Sequence, residues 1–363
     1  MVPRAQAGAP EIRLAYPDVG EEELAEIRAV LESGQLTMGP KVAELEQLLA
    51  AAVGTSHAVA VSSGTAALHL GVLALGLGPG DEVLVPAYTF PATGNVVALC
   101  GATPVLVDVD PVTMNMDPDD AARRVTPRTK AILAVHLFGR PAPLERYPEL
   151  PAIEDAAGAL GASRAGRPCG SLGALGCFSF HPRKIVTTGE GGAVTSADDA
   201  IAERVRSLRH HGWSPSGAYV DLPQPAYNYR LSDVLCALGI PQLRRLGELH
   251  DAYERIARAY AERLAHLDVV LPGTDEGDVH GWQAYVVQVD RRDEVMAGLR
   301  ASGVQCQIGT YALHRLGAYR DQGPFPGADA AFERALALPL HPRLAEAELD
   351  RVAAELDKLV SHH

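Results

Sequence analysis

The sequence predicts an α/β protein: a mostly parallel, seven-stranded sheet covered by helices, followed by a smaller C-terminal α+β unit. Two observations carry that expectation. Between Ala58 and Thr195, short runs rich in Val, Leu and Ile, flanked by Gly and Pro, alternate with helical segments. Strands buried on both faces read this way, and interleaving them with helices makes a parallel, helix-covered sheet. After about Gln242 the character changes to long amphipathic helices with fewer strands.

The elements follow in order. From Glu21, residues Leu24, Ile27, Val30 and Leu31 make a helical stripe that stops at Ser33-Gly34. Lys41–Val53 repeats the pattern through Val42, Leu45, Leu48 and Leu49 and ends at Gly54. Strands are expected at Ala58–Val61, Glu82–Val85, Pro104–Val109, Ala131–Leu137, Ala152–Glu154, Cys177–Phe180 and Ala193–Thr195. A helix over Leu249–Leu267 carries Tyr253, Ile256, Tyr260 and Leu264 on one side. A strand at Ala284–Val289, a helix at Asp293–Ser302 and a strand at Val304–Ile308 come next. The last helix, Glu346–Val360, buries Leu349, Val352, Leu356 and Leu359. The expected division is a flexible lead-in over 1–15, a large unit over 16–240 and a small one over 241–363.

Composition narrows the function classes. The chain has 363 residues, 47% hydrophobic and 21% charged, as in an ordinary globular protein. A net charge of −13 argues against nucleic acid or an anionic membrane as the main partner. No early stretch is long or apolar enough for a signal peptide or a membrane span, so a cytoplasmic location is expected. The five cysteines are scattered, odd in number and lack metal-ligand spacing, and they read as small buried hydrophobes. Adjacent His210 and His211 have no partners at ligand spacing, so no metal is expected. The terminal His362-His363 reads as a tag remnant.

Three segments carry chemistry. Lys184 lies in a polar, glycine-rich turn between apolar runs at Gly176–Phe180 and Ala193–Thr195. Desolvation at a sheet edge lowers a lysine's pKa and suits its amine to a Schiff base with pyridoxal phosphate (PLP). Ala58–Val61 runs straight into Ser62-Ser63-Gly64-Thr65-Ala66, which opens a helix. That is either a plain N-cap or an anion site built from free amides, the helix dipole and hydroxyls. Ala152-Ile153-Glu154-Asp155 ends a buried strand in two acids. Asp155 is either a helix cap or a carboxylate aimed into the crevice to pair with a pyridinium nitrogen. Phosphate cradle, carboxylate and lysine occur in that order, each at a strand end, and together they outweigh any one alone.

Further motifs complete a resemblance. They are Gly34-Gln35-Leu36-Thr37-Met38-Gly39-Pro40, Gly80-Asp81-Glu82-Val83, Pro86-Ala87-Tyr88-Thr89-Phe90, Val135-His136-Leu137-Phe138-Gly139 and Tyr227-Asn228-Tyr229-Arg230-Leu231-Ser232. With the three segments above, they make the chain resemble the DegT/DnrJ family of PLP-dependent sugar aminotransferases (aspartate aminotransferase fold, type I) from about Tyr16 to Leu359. The resemblance implies that Lys184 carries the cofactor and then moves the proton, and that Asp155 holds the pyridinium. It implies that Gly64, Thr65, Ala66 and Ser179 bind the cofactor phosphate, with Asn228 reaching it from the neighbouring subunit of a homodimer. Phe90 would stack on the ring, while Tyr88, Arg183, Tyr311 and His314 are candidate substrate contacts. Gly158 departs from the family pattern, which has Gln or His there.

The expected reaction moves nitrogen from L-glutamate, through pyridoxamine phosphate, to a keto group of a nucleotide-linked deoxysugar. The turn Thr187-Thr188-Gly189-Glu190-Gly191-Gly192 resembles that of enzymes aminating C4 of dTDP-4-keto-6-deoxyhexoses. The alternatives are a keto-inositol aminotransferase using glutamine and a regulatory protein on the same fold. A nicotinamide enzyme is disfavoured, because no Gly-x-Gly-x-x-Gly follows the first strand.

Overall fold

The computed structural model describes residues 10–216 and 219–361. Its centre is a seven-stranded sheet of β1 (His57–Val61), β2 (Glu82–Pro86), β3 (Thr103–Val107), β4 (Thr129–Val135), β5 (Ala152–Asp155), β6 (Leu175–Ser179) and β7 (Gly192–Ser196). The spatial order is β1-β7-β6-β5-β4-β2-β3. Every neighbouring pair is parallel except the two made by β7, which runs against both β1 and β6. All seven expected strands are present, with ends displaced by one or two residues. The reversal at β7 goes with its connection, since residues 180–191 form turns and bends with no crossover helix to return the chain for a parallel strand.

Helices cover the sheet. The early ones are α1 (Glu21–Ser33), α2 (Pro40–Val53), α3 (Gly64–Ala74) and α4 (Ala92–Leu99). Pro40 opens α2, where a missing N–H is harmless, and Gly54 at φ 73° closes it in a left-handed cap. Nearly every residue of α3 is buried, including Leu68, Leu70 and Val72, so this helix lies inside the molecule against β6 and β7. Its sequence is accordingly apolar all round.

Beyond the sheet, the helix Leu246–Leu264 buries Tyr253, Ile256, Tyr260 and Leu264 as expected. A three-stranded antiparallel sheet places Ala335–Leu338 between Tyr285–Gln288 and Gln307–Ile308. The sequence reading missed that central strand, whose four residues are short and apolar enough to pass as the end of the preceding helix. The strand expected at Val304–Ile308 is reduced to its last two residues, and Val304 instead bridges to Ile12.

Two expectations need correction. The flexible lead-in over 1–15 is too long: Ile12 is buried, donates to Gly303 O at 2.9 Å and accepts from Gln305 N at 2.9 Å. Residues 1–9 of that lead-in, and His362-His363, lie outside the described residues. The α1 stripe is only partly inward, since Val30 is buried while Leu24 is 54% and Leu31 59% exposed.

Topology assembles the site. Because β7 opposes both neighbours, β1, β4, β5 and β6 point the same way. In register, Val61 pairs with Gly192, Gly192 with Ser179, and Cys177 with Asp155. Their carboxyl ends therefore share one edge, which is where open α/β sheets bind ligands.

Candidate active site

At that edge lies a cavity of about 570 Å³. Its wall includes Ser63, Gly64 and Thr65 from the start of α3, Asp155 from β5, Ser179 from β6, and Lys184 from the β6–β7 turn. Segments 120 residues apart in sequence thus meet around one space.

The α3 N-terminus is built for close approach. Ser63 caps it, accepting from Ala66 N at 3.0 Å, which leaves the first-turn amides of Gly64 and Thr65 without an acceptor in the helix. A Cβ at position 64 would lie 2.7 Å from Ser179 Cβ. A Cβ at position 192 would lie 2.6 Å from Ser63 O. Only glycine at both places lets the helix start sit directly on the strand ends. Free amides, a helix dipole and the Thr65 and Ser179 hydroxyls there suit a phosphate. Ala66 contributes its place in the first turn, its amide being taken by the cap.

Asp155 is buried, and its carboxylate is held by two donors. Thr93 Oγ1 donates to Oδ2 at 3.0 Å and Ala157 N to Oδ1 at 3.2 Å. Burial pushes its pKa up; the Ala157 amide, the Thr93 hydroxyl and the Lys184 charge pull against that rise. Burial likewise pushes the Lys184 amine down, opposed by Asp155 and reinforced by Arg183. Each group is displaced toward its neutral form and each moderates the other. Such a cavity has a place for a cation facing Asp155 and for an electrophile facing Lys184.

Glu154 does a different job from its neighbour. It accepts from Gly170 N at 2.6 Å, Leu172 N at 2.7 Å, Gly173 N at 2.7 Å and His136 Nε2 at 2.9 Å. The Ala142 amide donates to His136 Nδ1 at 2.9 Å, which puts the ring proton on Nε2. The carboxylate is saturated and pins the 170–173 loop under the site.

The remaining expected residues divide. Phe90 lies on the cavity wall, 61% exposed, with Tyr311 edge-on at 6.3 Å. Arg183 is at the mouth, its Nη1 donating to Gln307 Oε1 at 2.6 Å. Tyr88 does not reach the cavity: it is buried, and its hydroxyl accepts from Thr310 N at 3.1 Å, anchoring the link after Gln307–Ile308. His314 also faces elsewhere, with Nε2 on Asp329 Oδ1 at 3.0 Å and its ring against Phe325. Asn228 is exposed, bridged to His210 and outside this cavity's wall. His210 Nδ1 is occupied by Arg230 Nη1 at 2.6 Å. Sequence reasoning missed Thr93, Gln283 and Gln307. Thr93 is the second residue of α4, and no spacing in the sequence marked it.

The fold and this site define a PLP-dependent transferase of fold type I. The chain belongs to the DegT/DnrJ/EryC1/StrS aminotransferase family, whose model it matches over residues 17–357. Solved structures agree. Spr1654 of Streptococcus pneumoniae, a candidate sugar aminotransferase in its PLP form, shares 31% identity over 97% of this chain and 99% of its own, with a TM-score of 0.92. DesV of S. venezuelae, in complex with a ketimine intermediate, shares 33% identity over 98% and 100%, with a TM-score of 0.91. DesI, in the presence of its TDP-sugar product, shares 34% identity over 98% and 94%, with a TM-score of 0.92. The protein is a PLP-dependent sugar aminotransferase.

Proposed function

We propose that this enzyme moves an amino group from L-glutamate to C4 of a dTDP-linked 4-keto-6-deoxyhexose, in amino-sugar biosynthesis. The observation that carries the site assignment is the convergence of the α3 N-terminus, Asp155 and Lys184 on one cavity. DesI, solved in the presence of its TDP-sugar product, supports a nucleotide-linked sugar, and the Thr187–Gly192 turn supports the position of amination.

PLP, when bound, supplies an electron sink for the carbon bearing the transferred nitrogen. In this assignment Gly64, Thr65 and Ser179 would hold its phosphate, with Ala66 in the same helical turn, and Asp155 would hold its ring nitrogen. Thr93 and Ala157 keep the Asp155 carboxylate oriented. Lys184 Nζ would hold the cofactor and would carry the proton to and from the carbon bearing the nitrogen. Its depressed pKa leaves more of the amine neutral at a given pH, as both tasks require. Phe90 offers an open aromatic face for stacking. Arg183, paired with neutral Gln307 rather than a carboxylate, is free to meet an anionic group of substrate at the mouth, beside Tyr311.

The working unit in this reading is a homodimer with Asn228 acting across the interface. Its support is the exposure of Asn228 together with apolar Leu24, Leu31, Leu36, Met38 and Tyr227. The chain divides into a cofactor-binding unit over 16–240 and a small unit over 241–363. Its five free thiols fit the cytoplasm, and no helix among the described residues is long and apolar enough to cross a membrane.

Offering the pyridoxamine form a dTDP-4-keto-6-deoxyhexose and, separately, a keto-inositol tests the acceptor. Return of the PLP absorption with the sugar alone is the expected result. Return with the keto-inositol alone establishes the aminocyclitol alternative.

A further inference from the structure

Position 158 has no side chain, and the space one would occupy is filled from elsewhere. A Cβ on Gly158 would lie 3.2 Å from Gln283 Cβ and 3.3 Å from its Cγ and Oε1. Close backbone packing brings these residues together. A Cβ on Gly139 (φ +100°) would be 2.8 Å from Trp282 N and 3.0 Å from Gly158 O, and one on Gly281 would be 3.1 Å from Gly158 O. Three glycines from three segments thus allow 281–283 to lie directly on 138–139 and 158. Gly281 N donates to Gly139 O at 2.8 Å and Gln283 N to Phe138 O at 3.1 Å.

Gln283 is therefore fixed by its backbone while its side chain enters the cavity wall. Its Nε2 makes only a long 3.5 Å approach to the carbonyl of Arg183, the residue before Lys184. Its Oε1 accepts no hydrogen bond among the described residues. Packing alone would be served by an apolar residue here. An amide beside the reactive lysine, held in place but hardly engaged, has donors to spare for something the cavity receives.

We propose that Gln283 is a positioning residue for the PLP ring, supplying from the C-terminal part of the chain the polar side chain that Gly158 cannot. The proposal rests on the assignment of Asp155 and Lys184 to the cofactor. Gln283 Nε2 donates to the ring's phenolic oxygen and favours its anionic form. The ring is then held between residues from two parts of the chain, so cofactor geometry depends on how 281–283 seats on Gly139 and Gly158.

The test is a pH titration of the visible absorption of the PLP-loaded protein, with the cofactor dissociation constant measured alongside. Removing a donor from an anionic oxygen raises the pH at which the band changes. Gln283→Ala is expected to raise that midpoint and weaken PLP on the order of tenfold. Gln283→Met keeps the volume and is expected to do the same, which separates donation from packing. Gly158→Gln in the Gln283→Ala background returns an amide from the other side and is expected to restore the midpoint. An unchanged midpoint in both single variants overturns the proposal and leaves Lys184 and Asp155 in place. Absence of any visible band from wild type with PLP overturns the site assignment itself.

Discussion

Thr93 and Asp155, residues from α4 and the end of β5, are joined by a 3.0 Å hydrogen bond from the threonine hydroxyl to Oδ2. Thr89 stands behind, its hydroxyl 3.2 Å from that of Thr93. A buried carboxylate that must stay charged opposite a ring nitrogen needs such donors. Thr93→Val keeps the shape and removes the donor. We expect kcat/KM to fall on the order of tenfold and stability to fall by about 1–3 kcal/mol, because a buried acceptor loses its donor, measured by steady-state kinetics and calorimetry.

Lys184→Ala is expected to abolish the visible band of the PLP-loaded protein and to lower turnover on the order of 10³-fold or more. In the wild type, PLP capture needs the neutral amine. Its rate should rise with pH and level off below the ordinary lysine value of 10.5, because burial depresses this group. Between the native and unfolded values the unfolded chain binds more protons here. Apo-protein stability from this lysine therefore improves as pH rises through that window. A capture rate still climbing above 10.5 contradicts the depressed pKa.

Gly64→Ala places a methyl 2.7 Å from Ser179 Cβ, against a strand end that cannot yield cheaply. The expected outcome is about 1–3 kcal/mol lost from stability in urea, together with weaker PLP binding. Ser179→Gly added to it should recover stability and not PLP affinity, because the phosphate would then lack the hydroxyl.

Glu154→Gln turns one oxygen into an amino group facing backbone donors, where four donors now converge on the carboxylate. We expect about 3 kcal/mol or more of destabilisation in urea. At a temperature where the variant stays folded, cofactor absorption should persist. Loss of absorption with unchanged stability would make Glu154 a member of the catalytic set.

If Asn228 serves the partner's cofactor, Lys184→Ala and Asn228→Ala subunits complement each other. A randomly re-associated equal mixture should recover about a quarter of wild-type activity, since half the dimers are mixed and each has one intact site. Two inactive parents that stay inactive when mixed would put Asn228 in its own subunit's site.

The sheet was legible from residue pattern alone. Six of the seven strands are short runs between breakers and almost wholly buried, and such runs are legible because burial dictates residue type locally; the edge strand β3 is buried only at Leu106 and Val107. The sequence also brought out Lys184, Asp155 and the Ser63-Gly64-Thr65 turn, because each sits at a strand end. Which neighbours serve them emerged from long-range packing. Tyr88 and His314 have the right chemistry and turn away, held by Thr310 N and Asp329. Thr93 and Gln283 carry no pattern of their own, yet they reach Asp155 and the wall beside Lys184. Local propensity is written in adjacent residues. The direction of a side chain depends on packing between segments distant in sequence, and here three glycines set that packing by letting backbones touch.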